Sequence, residues 1–211
     1  MTKSGVWSVV LAAALACSLA ACGGTDASSG DLPTLTPEPI TSTSPTSTPS
    51  TTPTPTADPT QVVTKYKDLT LVFNQPANVA VETRPALKAY KLFQQAFRRT
   101  LGTNTFDPSL KTIAAPAVLD YVQKVLKNQT KDGDRLGGTL TVTATVEEAK
   151  TGIVLIGGCF DQSKSYGIHS DGTRFGNDLV KRKPRLGIQA ITIRSAAGWR
   201  VSEYKLQSTP C

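Results

Sequence analysis

The chain has 211 residues, 39% of them apolar and 18% charged, with 14 prolines, four cysteines and a formal net charge of +7. These values suit one globular domain with appendages, and they exclude a large multidomain enzyme, a polytopic membrane protein, a collagen-like repeat and a wholly disordered chain. Residues 1–60 contain one basic residue, Lys3, and four acidic ones, which leaves 22 basic and 12 acidic residues in 61–211.

The first residues are typical of a targeting segment. Lys3 precedes an uncharged apolar stretch from Val6 to Ala16, which has the length of a signal-peptide core and is short for a membrane span. Residues 1–21 are therefore predicted to be an export signal. Two alternatives remain open: an ordinary secretory signal that leaves Cys22 as a free thiol or disulfide partner, and a retained transmembrane helix.

The end of this segment, Leu19-Ala20-Ala21-Cys22, resembles the lipobox of bacterial lipoproteins, in which small residues precede a cysteine that becomes the new N-terminus. The resemblance implies that the thiol of Cys22 carries a diacylglyceryl group and that the protein is lipid-anchored on the extracytoplasmic face of the bacterial cell membrane. Two or more acyl chains hold a protein stably on a membrane, where one binds only marginally.

Residues 22–60 are predicted to be a disordered tether rich in Thr, Ser and Pro. The segment has no aromatic residue and few large aliphatic ones, so it cannot bury enough apolar surface to offset the entropy of ordering. Its prolines favour an extended chain that reaches on the order of 100 Å. Its composition resembles O-glycosylated stalks, and an unmodified flexible spacer is the alternative.

Residues 61–211 are predicted to form the folded domain, with helices first. The segment from Val62 to Phe73 alternates in part and predicts a leading strand or an irregular segment. Thr83 is expected to cap a helix that Gly102 closes, and Pro116 opens a second helix. The first helix has an apolar stripe, and so has the second. The stripes consist of Ala86, Tyr90, Phe93, Phe97 and Leu101, and of Val118, Tyr121, Val122, Val125 and Leu126.

Strands follow the helices. Alternating Thr and apolar residues predict a half-buried strand around Leu140–Val146, followed by strands at Ile153–Ile156 and Tyr166–His169 and a turn at Asp171-Gly172. A last hairpin is predicted to pair Ile188–Arg194 with Trp199–Leu206. Helices followed by strands with no helix between them favour an α+β fold, with N-terminal helices packed on a curved antiparallel sheet of four or five strands.

This domain resembles the NTF2-like group, the cystatin-like α+β cone found in exported bacterial lipoproteins. The likeness covers about 120 residues and is carried by the two helices, by Gly157 to Asp161 and by Gly198 to Ser202. The fold hosts isomerases, dehydratases, carriers and noncatalytic modules alike, so function must be argued from side chains.

Two cysteines remain in the mature domain, Cys159 and Cys211, because Cys17 lies in the removed signal and Cys22 is the lipid site. Disulfides persist outside the cytoplasm, so a Cys159–Cys211 bridge is predicted. Two free thiols and a metal pair are the alternatives.

The candidate catalytic residues are His169, the only histidine, and Asp161. Together with Asp171 and Tyr166 they could form an acid/base pair, although a residue beside a hairpin turn usually faces solvent. Tyr90, Phe93, Phe97 and Trp199 would either line a cavity for an apolar ligand or form ordinary core. The sequence contains no phosphate-binding loop, nucleophile elbow or metal motif, so no cofactor and no metal are expected.

A basic stretch predicts an anionic partner. Lys181, Arg182, Lys183 and Arg185 are expected in a loop between strands, and Arg98, Arg99, Lys124, Lys127 and Lys131 are expected to add to the same positive field. An exported domain would meet anionic lipids and wall polymers rather than nucleic acid, which is not expected. A solvated basic loop is the alternative.

Two functional hypotheses follow. The first is a noncatalytic binding or accessory module of the envelope, whose partner would be an anionic wall polymer, an envelope protein or a small apolar ligand. The second is a cavity-bearing carrier, or an isomerase- or dehydratase-type enzyme, with His169 or Asp161 as its acid/base group. An open cavity with these residues inside would favour the second hypothesis, and a filled core with His169 outside would favour the first.

Overall fold

The computed structural model describes residues 60–130, 133–176, 178–209 and 211, with the side chains of Thr130 and Leu179 excluded. The predicted signal peptide, the lipid site Cys22 and the tether as far as residue 59 lie outside these ranges and stay predictions. The described part contains seven strands and four helices. They are β1 (Gln61–Lys65), β2 (Leu69–Asn74), α1 (Arg84–Thr103), α2 (Leu110–Ile113), α3 (Pro116–Thr130), β3 (Arg135–Lys150), β4 (Ile153–Ile168), β5 (Arg174–Phe175), α4 (Asp178–Arg182), β6 (Arg185–Ser195) and β7 (Gly198–Gln207).

The leading segment forms a hairpin. β1 and β2 pair antiparallel, which settles the ambiguity between a strand and an irregular segment at residues 62–73. Leu69, Leu71 and Phe73 are buried while the residues between them are half-exposed, as the two-residue period of a strand requires. β2 therefore presents one apolar face to the core.

Helix α1 follows its predicted apolar stripe but begins and ends differently. Thr83 occupies the N-cap position, yet its hydroxyl donates to the carbonyl oxygen of Ala80 at 2.9 Å rather than capping the helix. Gly102 was expected to close the helix and instead lies inside it, where a Cβ would stand 3.0 Å from Cδ2 of Leu69. The helix ends at Asn104, which adopts a left-handed φ of 56°.

The sheet has the strand order β1-β2-β3-β4-β6-β7, and β5 pairs with the end of β4. The α+β class is confirmed, whereas the predicted count of four or five antiparallel strands is wrong. β2 and β3 are parallel, because the chain leaves β2, crosses the sheet through three helices and returns beside the same strand. The other paired strands are antiparallel.

β4 corrects a second expectation. The segments Ile153–Ile156 and Tyr166–His169 were predicted to be separate strands, but β4 runs without a break from Ile153 to Ile168. Gly157 and Gly158 lie inside it, opposite Thr145 and Ala144 of β3. A Cβ on Gly158 would overlap the carbonyl oxygen of Thr143, and a Cβ on Gly157 would overlap the side chain of Glu147. Gly158 therefore permits the close approach of two long strands, and Gly157 leaves room for the Glu147 side chain.

The core lies between the helices and one face of the sheet. Helix α1 packs across β2, β3, β6 and β7, and α3 packs on β7. This core fully buries Tyr90, Phe93 and Phe97. Of the two alternatives for these aromatic residues, they therefore form ordinary core and do not line an open cavity. Within the described ranges, no helix is both long and apolar enough to cross a membrane.

The C-terminus is tied to the sheet. Cys159 of β4 and Cys211 are joined by a disulfide with Cα atoms 5.7 Å apart, in agreement with the predicted bridge. The amide of Gly187 in β6 also donates to the carbonyl oxygen of Thr209 at 3.0 Å. The last residues are thereby held beside β4 and β6.

Gly138 and Gly172 provide a matched test of close strand packing. Their φ values are nearly equal, 92° and 90°. A Cβ on Gly138 would overlap the carbonyl oxygen of Lys164, whereas nothing lies within 4 Å of one on Gly172. We expect Gly138→Ala to lower the free energy of unfolding by about 3 kcal/mol and Gly172→Ala by about 1 kcal/mol, as measured by urea denaturation. Equal losses would contradict the steric explanation.

The disulfide closes a loop with a sequence separation of 52 residues. In the chain-entropy model, a loop of that length stabilises the fold by about 4 kcal/mol. We expect the double variant Cys159→Ala/Cys211→Ala to lose up to that amount in urea denaturation, and the reduced, alkylated wild type to lose the same. Intact-mass spectrometry provides the control, because the unreduced protein should resist alkylation at both cysteines. Labelling of both thiols without reduction would contradict the bridge.

Candidate functional site

Three polar side chains lie in a row on the core-facing side of α1. Tyr90, Gln94 and Arg98 follow one another at intervals of four residues, so they share one helix face. Tyr90 and Gln94 have no exposed surface and Arg98 is 3% exposed. We call these three residues the polar ladder.

The hydrogen bonds of the polar ladder are incomplete. Nε2 of Gln94 donates to the hydroxyl of Tyr90 at 2.8 Å, and Nη2 of Arg98 donates to the hydroxyl of Tyr204 on β7 at 3.0 Å. Oε1 of Gln94 and Nε of Arg98 are buried and have no hydrogen-bond partner among the described residues. Since buried polar atoms are nearly always paired, these two atoms mark a place where a further group fits chemically.

Aromatic rings surround the guanidinium group. Its central carbon lies 4.2 Å from the ring centroid of Phe160 on β4 and 4.7 Å from that of Phe97 on α1. The ring of Tyr121 on α3 lies beside this cluster, with its centroid 6.0 Å from that of Phe97 and 5.9 Å from that of Tyr204. Side chains of α1, β4 and β7 therefore contact this one charge.

No carboxylate neutralises Arg98: none of the ion pairs among the described residues includes it. Burying a charge without a counter-charge costs several kcal/mol. The cation–π contacts with the rings of Phe97 and Phe160 each stabilise the charge by about 0.5–2 kcal/mol. The hydroxyl of Tyr204 adds a charge-assisted hydrogen bond. The site is therefore cationic and chemically suited to an anion.

The hydroxyl of Tyr90 supplies a proton donor to the polar ladder. Burial raises the pKa of Tyr90 well above its usual value, with Tyr204 adding to the rise and Arg98 opposing it. Tyr90 is accordingly protonated at neutral pH. Its hydroxyl has a proton to donate as well as the bond it accepts from Gln94.

The candidate catalytic residues lie at the periphery. Nδ1 of His169 is 2.8 Å from Oδ1 of Asp134, its ring stacks on Phe175 with centroids 4.1 Å apart, and its side chain is 48% exposed. Asp161 accepts from Nε of Arg185 at 3.0 Å. His169 directly follows the end of β4 and is eight residues from Asp161, which corresponds to about 25 Å of extended chain. The fold does not bring the two residues together.

The carboxyl of Asp161 is already engaged. Partial burial raises its pKa, but hydrogen bonds from the amide of Ser163 and from Arg185 outweigh this and hold the pKa below its usual value. A carboxylate held in this way is a poor base at neutral pH. Among the described residues, no three His, Cys, Asp or Glu side chains are placed to hold a metal ion.

The basic stretch differs from the predicted loop. Lys181 and Arg182 end the short helix α4, and Arg185 begins β6. Lys181 pairs with Asp178 at 3.2 Å and Arg185 pairs with Asp161, so two of the four cations are matched by carboxylates. The four side chains are exposed to solvent, as expected.

The expectation that Arg98 contributes to the basic surface is wrong, because its side chain points into the core. Its neighbour Arg99 lies about 100° further around α1 and pairs with the buried carboxylate of Asp107 at 2.5 Å. Counting charges cannot show which of two adjacent arginines is buried and which is exposed. The sequence signal that was missed is the spacing of Gln94 and Arg98, four and eight residues after Tyr90, within the apolar stripe.

Trp199 lies in a different setting from the other aromatic residues. It is partly buried against the core and borders an open groove of about 650 Å³ on the domain surface. The groove is also lined by Glu82, Lys150 and Arg194, which carry charges of both signs. Trp199 therefore does not share a cavity with Tyr90, Phe93 and Phe97.

No family model and no curated protein sequence matches the chain. Solved structures that it resembles include the intermembrane space region of the chloroplast protein ARC6, at 14% identity and a TM-score of 0.43 over 63% of this chain and 99% of that one. A proposed aromatic ring hydroxylase from Novosphingobium aromaticivorans matches at 12% identity and a TM-score of 0.39, over 62% and 91% of the two chains. Aln2 from a Streptomyces species matches at 13% identity and a TM-score of 0.38, over 61% and 92%. At these identities, each comparison shows a similarity of fold alone.

The adjacent arginines of α1 provide a test of the uncompensated charge. We expect Arg98→Met to raise the free energy of unfolding of the ligand-free protein by about 1 kcal/mol, because it removes a buried charge that has no counter-charge. Arg99→Met should lower it by about 2 kcal/mol, because the buried carboxylate of Asp107 loses its counter-charge and keeps only the hydrogen bonds from Ser109. Urea denaturation at neutral pH measures both changes. A loss above about 2 kcal/mol for Arg98→Met would show that the guanidinium is a net stabilising part of the core.

Proposed function

We propose that the protein is a lipid-anchored lipoprotein on the extracytoplasmic face of the bacterial membrane, and that its folded domain is a noncatalytic binding module of the envelope. The proposed location rests on the apolar signal segment and on the lipobox-like residues that end at Cys22. The Cys159–Cys211 disulfide supports it, since such bonds persist in oxidising compartments.

The buried guanidinium of Arg98 is the observation that carries the binding role. It places one positive charge and several hydrogen-bonding groups inside a largely aromatic core, and no ion pair within the described part of the chain includes it. Such a set of groups recognises an anion. Neither candidate base is part of this set of groups, because Asp161 pairs with Arg185 and the ring of His169 contacts Asp134 and Phe175.

The exposed basic stretch supports a second, outer contact. Arg182 and Lys183 lie in water beside the ion pairs of Lys181 and Arg185, at the junction of α4 and β6. Exposed cations attract anionic lipids and wall polymers with an energy that salt screens. We assign them to orientation of the tethered domain at the envelope and not to selection of a ligand.

The anchor is tested by acyl labelling of the full chain in a bacterium that processes lipoproteins. We expect labelled palmitate in the wild-type protein and in Cys17→Ala, and no label in Cys22→Ala, since the acyl chains are attached at residue 22. Cys17→Ala is the matched control because it removes a thiol five residues away inside the signal segment. Label retained by Cys22→Ala, or absent from the wild type, would overturn the lipoprotein assignment.

A further inference from the structure

We infer that Arg98 anchors a binding site for an amphiphilic monocarboxylate, an organic acid with an apolar body, between α1, α3 and β7. The inference rests on the proposed binding function and names its ligand class. Arg98, Gln94 and Tyr204 would hold the carboxylate, and aromatic and aliphatic side chains of α3 and β7 would contact the body.

The free donor of the guanidinium favours a carboxylate. Nη2 of Arg98 already donates to Tyr204, while Nε is buried and unpartnered. Guanidinium groups bind the two oxygens of a carboxylate with parallel N–H donors, and charge-assisted bonds of this kind are about twice as strong as neutral ones. The structure thus contains a donor for which the described protein residues supply no acceptor.

Gln94 becomes complementary to an anion when its amide is turned over. As assigned, Nε2 donates to Tyr90 and the unpartnered Oε1 would repel a carboxylate. The oxygen and nitrogen of an amide are assigned from the hydrogen-bond network, and the reverse orientation is open here because Tyr90 has a proton to donate. Tyr90 would then donate to Oε1, and the amide N–H groups would face the site beside Arg98. In this orientation Oε1 of Gln94 accepts from Tyr90, and Nε of Arg98 donates to the carboxylate once the ligand is bound.

A single buried cation limits the charge of the ligand. A monoanion neutralises Arg98, whereas a phosphate dianion would leave one negative charge buried without a partner. The adjacent cation of α1, Arg99, is already committed to Asp107. A monocarboxylate therefore fits the charge of the site, and a phosphomonoester does not.

An apolar rim adjoins the charge. Tyr121 of α3 lies 5.9 Å from Tyr204 between ring centroids and is only partly buried. Val125 follows Tyr121 one turn later on the same helix face, and Leu206 follows Tyr204 on the same face of β7; both are partly buried apolar residues. Because Arg98 is 3% exposed, a carboxylate reaches it when the Tyr121 ring rotates outward, and the apolar body then covers the rim. An apolar body buried there adds about 0.8 kcal/mol per methylene group.

Calorimetric titration of octanoate tests the inference. The protein used is the mature chain without lipid, residues 23–211, which keeps every described core residue from Leu69 to Tyr204. We expect 1:1 binding of octanoate to the wild type. 1-Octanol shares the apolar body without the charge, and acetate shares the charge without the body. Each should bind at least about tenfold more weakly, because buried charge pairing and apolar burial each contribute more than about 1.4 kcal/mol.

Variants locate the site. Arg98→Met should weaken octanoate binding by at least about tenfold and Arg98→Lys by less, since lysine keeps the charge and loses the planar fork. Arg194→Met is the matched control, because it removes an exposed arginine beside the N-terminus of α1, about 22 Å along the helix from Arg98. It should change the affinity less than about twofold. The near-ultraviolet circular dichroism of each variant confirms that it is folded.

Several outcomes would overturn the inference. They are the absence of octanoate binding to the wild type, equal binding of octanol or acetate, and unchanged affinity in Arg98→Met. The comparison of ligands on the wild type stands even if Arg98→Met does not fold. Palmitate labelling at Cys22 is independent of all these results, so a failed ligand leaves the lipoprotein assignment intact, and a failed label leaves the carboxylate site intact.

Discussion

The packing of α1 across the sheet is the constraint on which the rest of the domain depends. This helix contacts β2, β3, β6 and β7, and its core-facing side supplies Tyr90, Phe93 and Phe97 to one aromatic cluster with Tyr204. A helix that covers so many strands must present a continuous inward stripe. In this protein the stripe includes three polar side chains, which places hydrogen-bonding groups and a charge where a purely apolar stripe would have been sufficient for folding.

The position of Arg98 is therefore better explained by function than by stability. Apolar residues of similar volume usually serve a core as well as a buried charge or better. A local choice that conflicts with the fold is expected at functional sites, where stability is given up for binding. The contacts with Phe97, Phe160 and Tyr204 hold the guanidinium in one orientation without neutralising it. The proposed ligand would then meet a preorganised charge, which would lower the entropy lost on binding.

Periodicity predicted the elements of the domain well and their connections less well. The apolar stripes of α1 and α3 and the threonine alternation of β3 were visible because each repeats over many residues. The continuity of β4 was missed, since Gly157 and Gly158 are typical of a strand end. Their presence inside a strand is explained only by their neighbours on β3, the side chain of Glu147 beside Gly157 and the backbone of Thr143 beside Gly158. The parallel pairing of β2 and β3 depends on contacts distant in sequence, which no local pattern contains.

The candidate site was the part least accessible to sequence reasoning. Arg98 and Arg99 are adjacent and chemically identical, yet one points into the core and the other pairs with Asp107. The helical period does distinguish them, because Arg98 lies on the face of Tyr90 and Arg99 lies about 100° away. Counting both as surface charge hid that difference. Polar residues inside an apolar stripe carry more functional information than the basic stretch did.

The two kinds of cation in this domain differ in what they can select. Arg182 and Lys183 are surrounded by water, where unit charges about 4 Å apart interact by about 1 kcal/mol and salt reduces this further. At the same separation and an effective dielectric constant of about 20, the interaction is about 4 kcal/mol. One guanidinium among aromatic rings therefore discriminates between ligands more strongly than several exposed cations. In the proposed function, the outer charges would govern where the tethered domain rests, and the inner charge would govern what it binds.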